Sequence, residues 1–363
     1  MSDNAIDKIL ECPTDSVLGE DLLDITKTDL PFEKLKDASI MITGATGLVG
    51  SILTMALAAI NRVKELNMTI IPLIRDENKA RLVFGNLYDR EDIDPAFGDI
   101  TLPISYDKKI DYIIHGASVT ASKVMVTKPV ETIDTALWGT EQILKLAEFK
   151  KVRSMVYLSS MEAFGITDPS LESVKEEDLG YIDVMNVRSC YSEGKRMCEL
   201  LCASFHSEYQ VPVKIARLAQ TFGAGVSKQE GRVFAQFAKA AMKGEDIVLH
   251  TKGESWGNYC YTADSVAGIL TILLKGEDAN VYTVANPETS IMIKDMAQMV
   301  ADNFSEGKTK VVFDIPEDSK AFGYAPDVEI HLNADKLMSL GWKPKYGLVK
   351  MYERMIKSFI NQG

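Results

Sequence analysis

Ser39-Ile40-Met41-Ile42-Thr43-Gly44-Ala45-Thr46-Gly47-Leu48-Val49-Gly50 decides how the rest of this chain is read. The first five residues are a short apolar run, as a strand buried on both faces requires. Glycines at 44, 47 and 50 then permit a tight turn, close backbone approach to a bound group, and close packing of the following helix on the strand. A helix opening there aims free N–H groups and a positive dipole end at an anion. Gly-x-x-Gly-x-x-Gly is weak as a string but strong between an apolar strand and a helix. It predicts a dinucleotide, NAD(P), cradled by Gly44, Thr46, Gly47, Leu48, Val49 and Gly50.

The pattern continues outward from this point. Buried strands are predicted at Thr69–Ile74, Tyr112–His115, 154–158 and 213–216, with helices over roughly 50–66, 130–149 and 189–208. Alternating strands and helices imply an α/β fold, a Rossmann-type doubly wound parallel sheet over residues 37–217. After Arg217 the rhythm loosens. Helices near 232–243, 262–275, 292–303 and 347–361, with extended pieces at 246–249 and 280–284, read as a smaller C-terminal α/β lobe, 218–363, that completes a substrate pocket. Residues 1–36 read as an N-terminal helical extension packed on the body through Ile6, Ile9, Leu10, Leu18, Leu22 and Leu23.

The 363 residues are 46 % apolar and 25 % charged, which excludes a disordered, collagen-like or disulfide-scaffold chain. Forty basic against fifty-two acidic residues, a net charge of −12, argues against a nucleic-acid or anionic-membrane surface. It does not argue against a small anion bound at a local site. Cysteines stand at 12, 190, 198, 202 and 260, an odd number without paired metal spacing. Cys198 and Cys202 share a helix face with only His206 nearby, so reduced, packed thiols and no metal are expected. The start lacks a basic segment followed by an apolar run, and the stretch 267–274 falls well short of the ~18 residues of a membrane helix. A cytoplasmic protein is expected.

The end of the second strand is where a dinucleotide fold meets the adenosine ribose. Arg75 stands there, with Lys79 and Arg81 close by, and an arginine favours a 2′-phosphate. NADP is therefore placed ahead of NAD, with Asp76 as the competing ribose ligand. Asp99 and Ile100 are assigned to the adenine edge. Ala117 lies where small residues let the chain pass close to the cofactor, and Ser118 and Thr120 beside it are assigned to the substrate. His115 on its buried strand reads as a hydrogen-bonded core histidine rather than a base.

Tyr191 and Lys195 lie at i and i+4, on one helical face. An ammonium there is expected to lower the tyrosine pKa, so that the phenol exchanges a proton with a substrate hydroxyl. Thirteen tyrosines make one chance match unsurprising, and Tyr346 with Lys350 supplies it. The pair at 191 has the required setting. Val156-Tyr157-Leu158-Ser159-Ser160 delivers a serine hydroxyl to the same sheet edge, where it hydrogen-bonds the reacting oxygen.

Thr43–Gly50, Ser159-Ser160-Met161-Glu162-Ala163-Phe164-Gly165 and Arg188-Ser189-Cys190-Tyr191-Ser192-Glu193-Gly194-Lys195-Arg196 together resemble the extended short-chain dehydrogenase/reductase superfamily, NAD-dependent epimerase/dehydratase type. The last string is most similar to UDP-glucuronate decarboxylases. The resemblance implies that Tyr191 is the base, Lys195 its partner and ribose ligand, and Ser160 the hydroxyl donor. Glu162 matches a glutamate over the sugar ring, a catalytic candidate that either relays a proton to the ring or hydrogen-bonds its hydroxyls, and Gln220 and Arg232 fall on the nucleotide side. It also implies a homodimer through the helices near 130–149 and 189–208, with Ile143, Leu144 and Leu201 at the interface.

Three positions depart from the pattern. Met161 replaces the acidic aspartate of sugar dehydratases, Gln220 replaces an asparagine, and Gly257 falls where relatives carry an arginine. The leading expectation is oxidation of a secondary alcohol of a nucleotide-activated sugar to a transient ketone, followed by epimerisation. Decarboxylation or dehydration of a nucleotide sugar, net NADPH-dependent carbonyl reduction, and a non-catalytic redox sensor are the competing readings. Stoichiometric NADPH consumption separates the reductase from the epimerase.

Overall fold

The computed structural model describes residues 11–315 and 329–362, so Ile6, Ile9 and Leu10 lie outside the described residues. Its centre is a parallel sheet of β1 (Ser39–Thr43), β2 (Thr69–Ile74), β3 (Ala96–Phe97), β4 (Tyr112–His115), β5 (Ser154–Ser160), β6 (Val213–Leu218) and β7 (Val281–Val284). The order is β7-β6-β5-β4-β1-β2-β3. Strand order reverses between β1 and β4, and at such a switch point the carboxyl ends open a crevice for a ligand.

Alternation along the strands sorts the apolar residues into two layers. Ile40 and Ile42 join Ile70, Ile114 and Val156 on one face. Met41 joins Ile71, Ile113 and Met155 on the other. The first face is covered by α2 (Leu48–Lys64) and α5 (Thr262–Lys275), with α1 (Ser16–Thr26) lying against α2. The second is covered by α3 (Pro129–Lys150) and α4 (Cys190–Tyr209), packed side by side. Coverage on both faces explains why these strands are apolar runs rather than alternating ones.

The expected strands and helices are present, displaced by a residue or two at their ends. β3 was not expected, nor were three short strand pairings, although the extended piece at 246–249 was. The pairs are Gln220–Phe222 with Tyr259–Tyr261, Ile247–Leu249 with Val311–Phe313, and Trp256–Gly257 with Ile291–Met292. Residues after 217 contribute to the main sheet through β7 and to its cover through α5. The apolar stretch 267–274 lies inside α5, which is buried on nearly all sides. Among the described residues no helix is long and apolar enough to cross a membrane.

The extension is tied down by three buried acids. Glu11 receives Arg62 at 2.6 Å and Arg90 at 3.1 Å. Asp15 caps α1 through the Val17 and Leu18 N–H groups and accepts from Ser358 on α6 (Leu348–Asn361). Asp21 accepts the Tyr261 hydroxyl at 2.5 Å and pairs with Arg354 of α6 at 2.7 Å. Arg354→Met should cost about 3 kcal/mol in urea unfolding, because it strands a buried carboxylate. Adding Asp21→Asn should recover most of the loss, and equal stabilities of Arg354→Met and wild type would refute the pairing.

Candidate active site

The turn after β1 is built around two backbone approaches. Gly44 has φ of +69°, and a Cβ there would lie 2.8 Å from the Ala117 amide nitrogen. A Cβ on Gly50 would lie 2.2 Å from the Gly44 carbonyl oxygen. Only hydrogen at both positions lets α2 start where it does. Gly47, the N-cap, offers no side-chain hydrogen bond, so the first N–H groups of α2 stay open to the cleft. The β1 and β4 ends are joined by Thr43, whose Oγ1 accepts from the Ala117 amide at 3.1 Å and lies 2.6 Å from His115 Nδ1. His115 Nε2 is 3.3 Å from Thr140 Oγ1, and burial pushes this imidazole down to about 3. It is a neutral core group outside the cleft lining, as its strand position predicts.

A cleft of about 910 Å³ opens over the switch point, in the size range of small-molecule sites. Gly44, Thr46, Gly47, Leu48, Val49, Gly50, Ile100 and Ala117 line it. So do Ser118, Thr120, Ser160, Glu162, Tyr191, Lys195, Gln220 and Arg232. The glycine cradle, the uncapped helix start and the cleft continuing to a phenol and an ammonium fit a dinucleotide with a substrate beyond it. Arg75, Asp76 and Lys79 line the far end. Arg75 is exposed and 3.4 Å from Asp99, while Asp76 caps the next helix through the Lys79 amide. Asp99 itself is not part of the lining. Its carboxylate accepts from the Thr101 amide and hydroxyl, which hold it below the usual carboxylate range.

At the near end, β5 brings Ser160 to the sheet edge and α4 brings Tyr191 and Lys195. Lys195 is buried and donates to the Leu158 carbonyl at 2.8 Å, and burial pushes its ammonium down to about 8. Its Nζ is 5.7 Å from the Tyr191 ring centre. The lowered tyrosine pKa expected from sequence is not what the protein alone provides. Burial, then the Glu162 carboxylate, pushes Tyr191 up to about 12, against opposing contributions from Ser160, Arg188 and Arg232. The second pair is spent elsewhere. Tyr346 packs at a tilt against Tyr261 with ring centres 4.5 Å apart, Lys350 reaches Glu353, and neither lines the cleft.

Glu162 lies in the short 3-10 turn Met161–Phe164, and its amide donates to the Ser160 hydroxyl at 3.2 Å. Its two oxygens accept from Arg188 at 3.0 Å and Ser192 at 3.1 Å. A carboxylate so occupied accepts hydrogen bonds. Arg188, Ser192 and Trp256 also line the cleft and were not singled out from sequence. Arg188 stands one helical turn before Tyr191, and that spacing was its signal. Trp256 meets the His331 ring edge-on at 4.8 Å. Gly257 beside it is dictated locally, since a Cβ would lie 2.4 Å from the hydroxyl of the fully buried Tyr259. A side chain at 257 therefore requires Tyr259 to move.

Known proteins bear on this geometry. The chain is 28 % identical over 322 positions to UDP-glucuronic acid decarboxylase 5 of Arabidopsis thaliana, covering 85 % of each protein. Its structure superposes on UDP-glucose 4-epimerase of Thermotoga maritima with a TM-score of 0.73, at 18 % identity, covering 89 % of this chain and 99 % of that one. The UDP-glucuronic acid 4-epimerase of Bacillus cereus, solved with NAD, gives a TM-score of 0.71 at 19 % identity, covering 89 % and 99 %. The family model described as "NAD dependent epimerase/dehydratase family" matches residues 40–285. With that match spanning the sheet, the glycine turn and the Tyr191–Lys195 helix, the chain belongs to the NAD-dependent epimerase/dehydratase family, enzymes of the extended short-chain dehydrogenase/reductase type.

Proposed function

We propose that this enzyme oxidises a secondary alcohol of a nucleotide-activated sugar to a transient ketone, epimerises the neighbouring carbon, and reduces the ketone again. The observation that carries this reading is the convergence of Ser160, Tyr191 and Lys195 on one cleft beside the glycine turn. The glycine turn and the open start of α2 would hold NAD(P), which would supply reversible hydride transfer. Tyr191 takes the hydroxyl proton, Ser160 hydrogen-bonds the same oxygen, and Lys195 fixes the helix face and contacts the cofactor ribose. Ser118, Thr120 and Glu162 hold the sugar, while Gln220 and Arg232 face the nucleotide.

Elimination of water needs a proton donor over the ring. Met161 has none to give, and Glu162 is an occupied acceptor. A uronate needs a cation near Gly257, where Trp256 presents an aromatic wall and Arg188 is already paired. Both points favour an uncharged sugar and epimerisation. Decarboxylation of UDP-glucuronate is the second reading, supported by the 28 % identity to the plant decarboxylase. The enzyme should act in the cytoplasm.

The deciding experiment incubates the protein with a panel of nucleotide sugars and follows products by NMR. Epimerised sugar without net cofactor consumption is expected, and Tyr191→Phe should lower turnover about 10³-fold with cofactor binding intact. Carbon dioxide release from UDP-glucuronate, stoichiometric NADPH consumption, or near-wild-type turnover by Tyr191→Phe would overturn the reading.

Arg75 and Lys79 at the adenosine end support NADP over NAD. Extraction of the purified protein should then yield NADP, and Arg75→Asp should shift preference toward NAD by adding a repulsive charge. Copurified NAD would make Asp76 the ribose ligand instead.

A homodimer through α3 and α4 is supported by apolar residues exposed on them, Val130, Trp138, Met197 and Leu200. Ile143 and Leu144, expected at the interface, are fully buried in the core instead, because they face the sheet. Sedimentation should give a dimer at micromolar concentration, and Trp138→Glu with Leu200→Glu should give a monomer. A monomeric wild type would refute the interface.

A further inference from the structure

We propose that Arg188 is the positioning residue of this site: its ion pair with Glu162 screens the Tyr191 hydroxyl from that carboxylate. The inference rests on the reading of Tyr191 as the base and asks what lets a buried phenol act as one.

The geometry is specific. Asn186 caps the 3-10 turn Val187–Ser189 by accepting the Arg188 amide at 3.0 Å. The turn thereby presents the guanidinium to the cleft, with its side chain only 15 % exposed. Nη2 donates to Glu162 Oε1 at 3.0 Å, Ser192 occupies Oε2, and the guanidinium carbon lies 5.9 Å from the Tyr191 ring centre. Arg188 thus touches both the group that opposes Tyr191 ionisation and the ring itself.

Among the described residues, several other groups bear on Tyr191. Lys195 approaches from the next turn of α4, and Arg232 from the segment before the helix Val233–Lys243. Tyr157 and Ser160 face it from β5, and Cys190 precedes it. Arg232 is paired with Glu230 at 2.7 Å, and Lys195 is anchored to the Leu158 carbonyl. Glu162 is the one carboxylate among these neighbours, so its neutralisation falls to Arg188. Without it, a carboxylate and a phenolate would share a half-buried site, an arrangement that raises the pKa of the later one to ionise.

The test needs no substrate. Difluorotyrosine incorporated at position 191 brings the phenol titration into a range the fold withstands, and fluorine NMR reads that one site in the full-length protein. Arg188→Gln should move the midpoint up by about one unit. Arg188→Lys should leave it near the wild-type value, and Arg188→Gln with Glu162→Gln should bring it back. A purely structural role would alter stability in Arg188→Gln and leave the midpoint alone. An unmoved midpoint in Arg188→Gln, or no return in the double variant, overturns the inference while the oxidation reading stands. Turnover that survives Tyr191→Phe overturns that reading and leaves the titration result to be judged separately.

Discussion

The hydrogen bond from Lys195 to the Leu158 carbonyl is the contact on which the reacting end depends. It ties α4 to β5 two residues before Ser160, so the strand that carries Ser160 and the helix that carries Tyr191 and Lys195 cannot slide independently. Beneath it runs a second tie. Glu199, one turn further along α4, accepts Ser159 at 2.5 Å and a two-pronged hydrogen bond from Arg217 of β6. Both ties are buried, where an unpaired charge is costly. Geometry at the cleft mouth is thereby inherited from pairs in the interior, and α4 is held by charge as well as by apolar packing.

Much of this was readable from the chain because the signals are local. Residues 39–50 carry strand, turn and helix start within twelve positions, and each glycine has a backbone reason within that window. Tyr191 and Lys195 are one helical turn apart. Less readable were features made by residues distant in sequence. Arg188 meets Glu162 across 26 positions, and nothing in either segment alone announces the pair. The strand pairs of two or three residues are too short to show a period. Ile143 and Leu144 illustrate a different limit, since apolar residues on a helix belong to a core or to an interface and composition does not say which. The Tyr191 pKa failed as a local inference for the same reason, because burial and Glu162 outweigh the lysine one turn away.

The substrate end shows how a departure from a family pattern can have a neighbour as its cause. Gly257 has no side chain because Tyr259 occupies the space, and Tyr259 is fixed within an aromatic cluster with Phe222, which stacks on Phe234 at 4.7 Å. The glycine at 257 is thus a property of a packed aromatic core, not of that position alone. Trp256 at the cleft wall extends the same apolar character to the ligand.

The contacts of α1 carry a consequence for the order of events during synthesis. Asp21 and Arg354 are 333 positions apart, so the first helix described waits for the last before its buried acid has its cationic partner. Ribosomal emergence proceeds from the N-terminus, and loop closure over so long a span comes late. The nascent chain can assemble β1, the glycine turn and α2 while α1 still lacks its final clasp.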